Sequence, residues 1–600
     1  MSNREDVYTR ATMEGDRPGE AGNHDGDEHG DPVDPGASPA AGDELIPRSD
    51  PEGTTEPLGM GPPAGVPGGY GVTSETIVEQ RGWFSGARLT ALITAVVLVI
   101  AGTAVAVVLS GGGSSQLEEI VPAGALAFGE ANLLASGEQQ DAVRSLVERF
   151  PIPQGQEPGE AFERFLDEGL AEEGFSFEQD FKPWLGTQIG FVVTGLSLSG
   201  GAPMPQWAFL ATVRDEGRAK ATLDRIKQTE DSMAYAIREG VAFVAPDLLS
   251  LELSLGAVDG KKGPLSEDSG FTSIVDRVGD DNLAVVYLDG EQLQSLIPPG
   301  SLPAFPGIPD SSGRQVIALR AEENALVLRG FSTSAGPGAV GTPALVEAAP
   351  DAILGALTLF DPATLFEQGI EFAGLFLFGF QEGFGGGFDE SVQLSGRQIP
   401  DARSALDDFL RETLGLTLDG DILPWLHGEL SVVVGRLSLL QPEIGVLIES
   451  TDDAAAGRTI DGLRDNLGRL ASGAGFEVTS APGGFAILIP DAGTTVIVRR
   501  VAGKVVIASS DTYADQLLAA SPQSLAEEAV YRRAVGDPGV GGVSFQMFVR
   551  IDRLASFLQV LVPAGEYAEA EQYFAPLESL GVRATNTDDG SSFRMVLTFK

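Results

Sequence analysis

The run Phe177-Glu178-Gln179-Asp180-Phe181-Lys182-Pro183-Trp184-Leu185 is an acidic stretch closed by Pro-Trp-Leu. It recurs as Leu418-Asp419-Gly420-Asp421-Ile422-Leu423-Pro424-Trp425-Leu426. Each copy leads into an apolar stretch of strand character, Ile189 to Val193 and Leu430 to Val434. Working outward, three more segments match in the same order. Pro122 to Phe128 aligns with Pro350 to Ala356, Ala208 to Ile226 with Gly445 to Leu463, and Phe271 to Asp289 with Tyr531 to Asp552. Both copies end in a candidate hairpin. The first turns at Glu322-Glu323-Asn324 into Ala325 to Phe331, and the second at Asp588-Asp589-Gly590 into Phe593 to Phe599. Four collinear matches point to internal duplication.

Each copy mixes short apolar strands with helical stretches such as Asp141 to Phe150, Ala161 to Gly174, Ala402 to Leu414 and Thr459 to Leu470. Short connections favour antiparallel pairing. The expected fold is therefore α+β, with two tandem duplicated modules, 119–335 and 342–600. Each is a mainly antiparallel sheet with helices on one face.

Upstream, Leu89 to Leu109 holds no charge and is long enough as a helix to span a bilayer. Trp83 and Phe84 precede it, Arg81 and Arg88 flank it, and no Lys or Arg follows until Arg144. The positive-inside rule places the N-terminus in the cytoplasm and the bulk of the chain outside. The expectation is a transmembrane helix at 87–110 holding the chain in the cytoplasmic membrane through residues 89–109. A Gly/Ser linker follows at 111–118. Residues 1–84 read as a disordered cytoplasmic tail, because residues 1–80 carry 17 acidic against 4 basic side chains and no apolar periodicity.

The whole chain has 86 acidic and 39 basic residues, a formal net charge of -47. Such a surface repels nucleic acid, so a nucleic-acid partner is not expected. The absence of cysteine removes disulfides, Cys nucleophiles and thiolate metal sites.

With the Asp180-Phe181-Lys182-Pro183-Trp184-Leu185-Gly186 run and the Pro122-to-Phe128 strand, the chain resembles the bacterial family catalogued as domain of unknown function 3352. The resemblance covers roughly residues 119 to 600 and implies a membrane segment near the N-terminus and an outer domain. It implies no activity. The second copy departs from the motif, with Leu423 in place of the Lys and His427 in place of the Gly.

The chemical inventory is thin. Of three histidines, His24 and His29 lie in the tail, leaving His427 for any triad or multi-histidine metal site. No cofactor is expected. The best-placed acid pair is Glu178 and Asp180, recurring as Asp419 and Asp421. Paired carboxylates suit glycoside hydrolysis, but acids beside a turn also cap backbone amides. The structural motif residues Pro183, Trp184, Leu185, Pro424, Trp425 and Leu426 read as core anchors. The insertion 360–388 is Phe-rich, and Phe372, Phe376, Phe378, Phe380, Phe384 and Phe388 are the candidate hydrophobic contact.

Three functions stay open. One is a non-enzymatic envelope protein binding a lipid, a wall component or another envelope protein. The second is a carboxylate-dependent hydrolase of wall glycans. The third is a scaffold whose acidic tail recruits a cytoplasmic partner.

Overall fold

The computed structural model describes residues 117–133, 137–150, 174–199, 202–296, 313–336, 338–350, 353–364, 410–438, 442–490, 493–519, 523–561 and 571–600, with a few single residues between them. All belong to one unit, Gln80–Lys600. The acidic tail, the 89–109 span and the six candidate Phe residues lie outside the described residues. Among the described residues no helix is long and apolar enough to cross a membrane.

The first half of the chain contributes strands β1 (Ala127–Asn132), β2 (Leu185–Ser199), β3 (Ala202–Val213), β4 (Ala234–Arg238), β5 (Val241–Ala245), β6 (Ala284–Asp289), β7 (Arg314–Glu322) and β8 (Ala325–Ser332). The second contributes β9 (Gly355–Phe360), β10 (Glu429–Val434), β11 (Ile444–Glu449), β12 (Glu477–Ala481), β13 (Gly484–Ile489), β14 (Thr494–Val501), β15 (Lys504–Ala508), β16 (Val543–Arg550), β17 (Leu577–Thr587) and β18 (Gly590–Phe599). Helices in the first half are α1 (Gly137–Val147), α2 (Glu216–Thr229), α3 (Leu248–Ser254), α4 (Ser269–Val275) and α5 (Gly290–Leu296). Those in the second are α6 (Ala344–Glu347), α7 (Asp453–Ala474), α8 (Asp511–Leu518), α9 (Ala529–Val535) and α10 (Ile551–Leu561).

Local chemistry sets many of these boundaries. Asp215 and Asp452 cap α2 and α7 by accepting from the third N–H beyond, and Asp247 and Ser510 do the same for α3 and α8. The β4–β5 and β14–β15 turns each place two residues at positive φ, Glu239-Gly240 and Ala502-Gly503. That is the two-residue geometry whose twist suits a hairpin.

The expectation of two modules, each with its own sheet and with helices on one face, is overturned. The described strands form one 18-stranded sheet. Read from edge to edge its order is β4-β5-β3-β2-β1-β6-β7-β8-β18-β17-β16-β9-β10-β11-β15-β14-β13-β12, and every pairing is antiparallel. The seam is β8 against β18, from Ala325↔Thr598 to Ser332↔Ser591. Either hairpin alone would end in a row of unpaired N–H and C=O groups, and pairing the two removes both exposed edges. Out to β4 and β14 the order is mirrored about the seam, and β13 and β12 extend the second half beyond it.

Helices cover both faces. Phe128, Val192, Leu210, Phe243, Tyr287 and Val316 pack with α3 and α4 on one face. Ala131, Ile189, Ala211, Ala242 and Val244 pack with α2 on the other. β5 is buried at all five positions, Val-Ala-Phe-Val-Ala. Strands that are apolar at successive positions need cover on both sides. The second half follows the same scheme, with α8 and α9 on one face and α7 on the other.

The seam register is testable in a chain without cysteine. Leu328 and Met595 are direct cross-strand partners, at a separation of Cβ atoms near ~5 Å, close to disulfide reach. The double variant L328C/M595C should form an intramolecular cross-link on mild oxidation, seen as a shift in non-reducing electrophoresis. Only intermolecular cross-links, or none, would contradict the seam.

Candidate functional site

The Pro-Trp-Leu runs build the same clamp twice. Ser176 and Thr417 open a single wide turn, Phe177–Phe181 or Leu418–Ile422, by accepting from the N–H of Gln179 or Gly420. The carboxylates of Asp180 and Asp421 reach back to the N–H of Ser176 at 2.9 Å and of Thr417 at 2.8 Å. The carbonyls of the same two aspartates accept from the indoles of Trp184 (2.6 Å) and Trp425 (2.9 Å). Thr222 and Thr459, on α2 and α7, bond to those carbonyls as well. Trp184 and Trp425 are buried. Pro183 and Pro424 set the approach of the chain, Leu185 begins β2, and Leu426 is half-buried beside Leu423.

This geometry settles what the acids of the turn do. Partial burial pushes the Asp180 carboxyl up, but the Arg225 guanidinium at 2.5 Å and the Ser176 N–H outweigh it, and the group titrates below the usual carboxylate range. Glu178 is exposed, and Asp419 is exposed and paired with Arg403. His427 is half-exposed, its Nδ1 lying 2.7 Å from Oδ1 of Asp361. Burial raises the Asp361 carboxyl, but bonds from the Thr364 hydroxyl and N–H and from His427 leave it below its ordinary value. Asp180 and Asp361 are thus engaged by backbone N–H groups, whereas Glu178 and Asp419 face solvent.

Another cluster, absent from the sequence-level candidates, lies on the seam. Cross-strand partners share a face of the sheet, and the register sets Arg329 beside Arg594 and Arg594 beside Arg583. The three arginines form a row across β8, β18 and β17. α4 and α9 stand on the same face either side of it, leaving a cavity of about 560 Å³. Its lining includes Arg277, Arg532 and Arg533 in addition to the row, the apolar Val278, Phe331 and Val535, and two acids, Glu322 and Asp537. Six arginines thus meet in one cavity of a chain with net charge -47.

Several of these charges have partners. Arg277 pairs with Asp589 at 2.7 Å and lies 4.8 Å over the Phe331 ring. Arg329 pairs with Glu322 at 3.3 Å, and Arg533 with both oxygens of Glu578 at 3.0 Å. Arg532 donates to the carbonyl of Ala526 at 2.6 Å. The buried Arg583 donates to Gln546 (3.1 Å) and to the carbonyl of Asp537 (2.8 Å), while its Nη2 has no hydrogen-bond partner and sits 3.9 Å from Glu347. Arg594 makes no ion pair among the described residues; its polar contact is the carbonyl of Arg533 at 3.5 Å. Burial lowers the Arg594 guanidinium below its ordinary value, Glu322 opposes the shift, and Arg329 and Arg583 add to it. Guanidinium forks match the oxygens of phosphate and carboxylate groups. The arrangement is suited to hold an anion.

A family model described as protein of unknown function (DUF3352) matches residues 91–600. No curated protein matches. Two solved chains show weak likeness. Crystal form III of TP0453 has 11% identity and a TM-score of 0.19, over 39% of this chain and 84% of that one. Crystal form I has 9% identity and a TM-score of 0.16, over 37% and 80%.

The clamp is testable by stability. W184A or W425A should destabilise the chain by about 3–5 kcal/mol, the usual cost of deleting a buried tryptophan. D180N should cost about 1–2 kcal/mol through its lost charge-assisted bonds. Asp180 has a folded pKa below its unfolded one, so its contribution is present above the unfolded value of 3.8 and fades as pH falls through the folded value. The Tm gap between wild type and D180N should therefore narrow below about pH 4.

Proposed function

Because this chain belongs to the DUF3352 family, which carries no activity with it, we propose from its geometry that it is a non-enzymatic binding protein for an anionic envelope component. In this reading residues 89–109 anchor the chain in the cytoplasmic membrane and the sheet lies outside. The single observation that carries it is the seam cavity, where, among the described residues, Arg594 has no ion pair and the Arg583 Nη2 no hydrogen-bond partner. A guanidinium held half-buried beside two others is costly in the free protein and favourable once an anion sits among them. Val278, Phe331 and Val535 give the same cavity an apolar wall, which suits a phosphate or carboxylate carried on a hydrophobic body. A hydrolase built on Glu178 and Asp180 has less support, since the Asp180 carboxylate is engaged by Ser176 and Arg225.

The test uses the full chain in mild detergent, titrated with inorganic pyrophosphate and with short-chain phosphatidylglycerol or phosphatidylcholine dispersed in the detergent. Binding of pyrophosphate and of phosphatidylglycerol, weakened about tenfold by R594Q and by R329Q, is expected, since one charge-assisted bond is worth about 1.5–3 kcal/mol. R594Q should also raise the Tm of the ligand-free protein by removing a half-buried like charge from beside Arg329 and Arg583. Equal affinity for the two lipids, or an R594Q variant with unchanged affinity for pyrophosphate and phosphatidylglycerol, would refute the proposal. Pyrophosphate binding without phosphatidylglycerol binding would identify a soluble anion as the ligand.

A further inference from the structure

The two ends of the sheet are built on equivalent strands but finish differently. β4 and β14 each run into the same two-residue turn, with φ of 51° and 74° at Glu239-Gly240 and of 50° and 78° at Ala502-Gly503. Each is paired on its inner side by the return strand, β5 or β15. Counting back from the turns, Ile237 holds the place of Arg500 and Tyr235 that of Val498.

In the second half the outer edge is filled. β13 pairs along β14, with Phe485 opposite Val498, and β12 pairs beyond it. The Arg500 N–H donates outward to the carbonyl of Gly483 at 2.9 Å. Phe485 is buried against the α7 face. In the first half, among the described residues, β4 pairs with β5 alone. Alternation in an antiparallel ladder turns the N–H and C=O of Ile237 toward that open side. Where β13 lies in the second half, the first half has a groove of about 800 Å³ between α2 and β4, lined by Lys220, Asp224, Lys227, Tyr235 and Arg238 among others.

We propose that the open edge of β4 is a docking site for one extended, uncharged segment of a partner protein, which joins the sheet as β13 does in the second half. Strand addition to an open edge takes its affinity from main-chain hydrogen bonds and its specificity from pockets for alternate side chains. The groove beside Tyr235 is such a pocket, placed where Phe485 sits in the other half. The sequence of β13, Gly-Phe-Ala-Ile-Leu-Ile, gives the pattern: small or apolar at every position, with an aromatic on the α2 side. A second copy of this chain is the poorer occupant, because two bodies of charge -47 repel. The rim of the groove carries Lys220, Lys227 and Arg238 against Asp224 and Glu216, a near balance that suits an uncharged strand.

The experiment uses the full chain in mild detergent and a synthetic peptide of the β13 sequence with an uncharged polar extension. Amide hydrogen exchange is followed at residues 234–238. Saturable binding with at least tenfold slower exchange at Ile237 is expected, and the same peptide with proline at the Ile487 position, whose N–H faces the edge strand, should not protect the edge. I237P removes the outward donor and should weaken binding at least tenfold. Y235A leaves the backbone intact and should weaken it several-fold, which keeps the test decisive if I237P folds poorly. No binding overturns the proposal, as does binding that leaves 234–238 unprotected. Protection that rises with protein concentration in the absence of peptide would also overturn it, by showing self-association.

Discussion

The antiparallel pairing of β8 with β18 is the contact on which the rest of the molecule depends. Two equivalent strands that pair antiparallel are related by a local two-fold axis, so a residue near that axis meets its own counterpart. Arg329 and Arg594 each stand four residues beyond the start of their strands, and the register sets them side by side. The two arginines therefore form a cationic pair at the axis where the halves join. Like charges directly opposite in a sheet are destabilising, so the seam carries a local cost that an anion would relieve.

The two halves have diverged around that axis. In the first, the row running away from the seam is Ala318, Val285, Glu130 and Gly190. In the second it is Arg583, Gln546, Thr358 and Ser431. Phe271 packs edge-on against Phe128 and Tyr287, whereas Tyr531 in the equivalent place uses its hydroxyl to accept from Gln546 at 2.5 Å. Gln546 in turn holds Arg583. Thr358 and Ser431 bond to each other at 2.9 Å, and Ser431 to the buried Glu429 at 2.8 Å. A buried polar row of this kind is expensive unless its members are satisfied. Here it fixes the third arginine of the cavity, which the first half lacks.

Much of the local structure could be read from residues alone. The paired Pro-Trp runs, the acidic caps and the two hairpins are short-range features, and the strands found at Leu185–Ser199, Glu429–Val434 and Gly590–Phe599 lie where the apolar runs lie. The role of Asp180 was ambiguous because a carboxylate that caps a turn and one that does chemistry look alike until their partners are known. The single sheet was hidden for a different reason: nothing in Ala325 to Phe331 states that its neighbour is 265 residues away rather than in its own half. One signal for two-sided cover was present. Val241-Ala-Phe-Val-Ala245 has no polar position, which a sheet with one wet face does not tolerate. The arginine row left no mark in sequence spacing, because Arg329, Arg583 and Arg594 become neighbours only through register.

The charge balance bears on how such a cavity works. A chain of net charge -47 presents an acidic field to any anion approaching from solution. At physiological salt that field decays over about 8 Å, so the cost falls on the last stage of approach and is met by the arginines only inside the cavity. Affinity at the site and access to it are therefore opposed. An anionic bilayer would repel the same surface, and a chain free in solution would be depleted from it. The proposed tether at residues 89–109 would reverse that depletion by converting encounter into an intramolecular event with a high effective concentration. On this reading the anchor, the acidic surface and the buried cations act together. The field discourages weak anions close to the surface, the proposed tether would keep the cavity near the envelope, and a ligand that reaches the seam meets Arg594, which has no ion pair among the described residues.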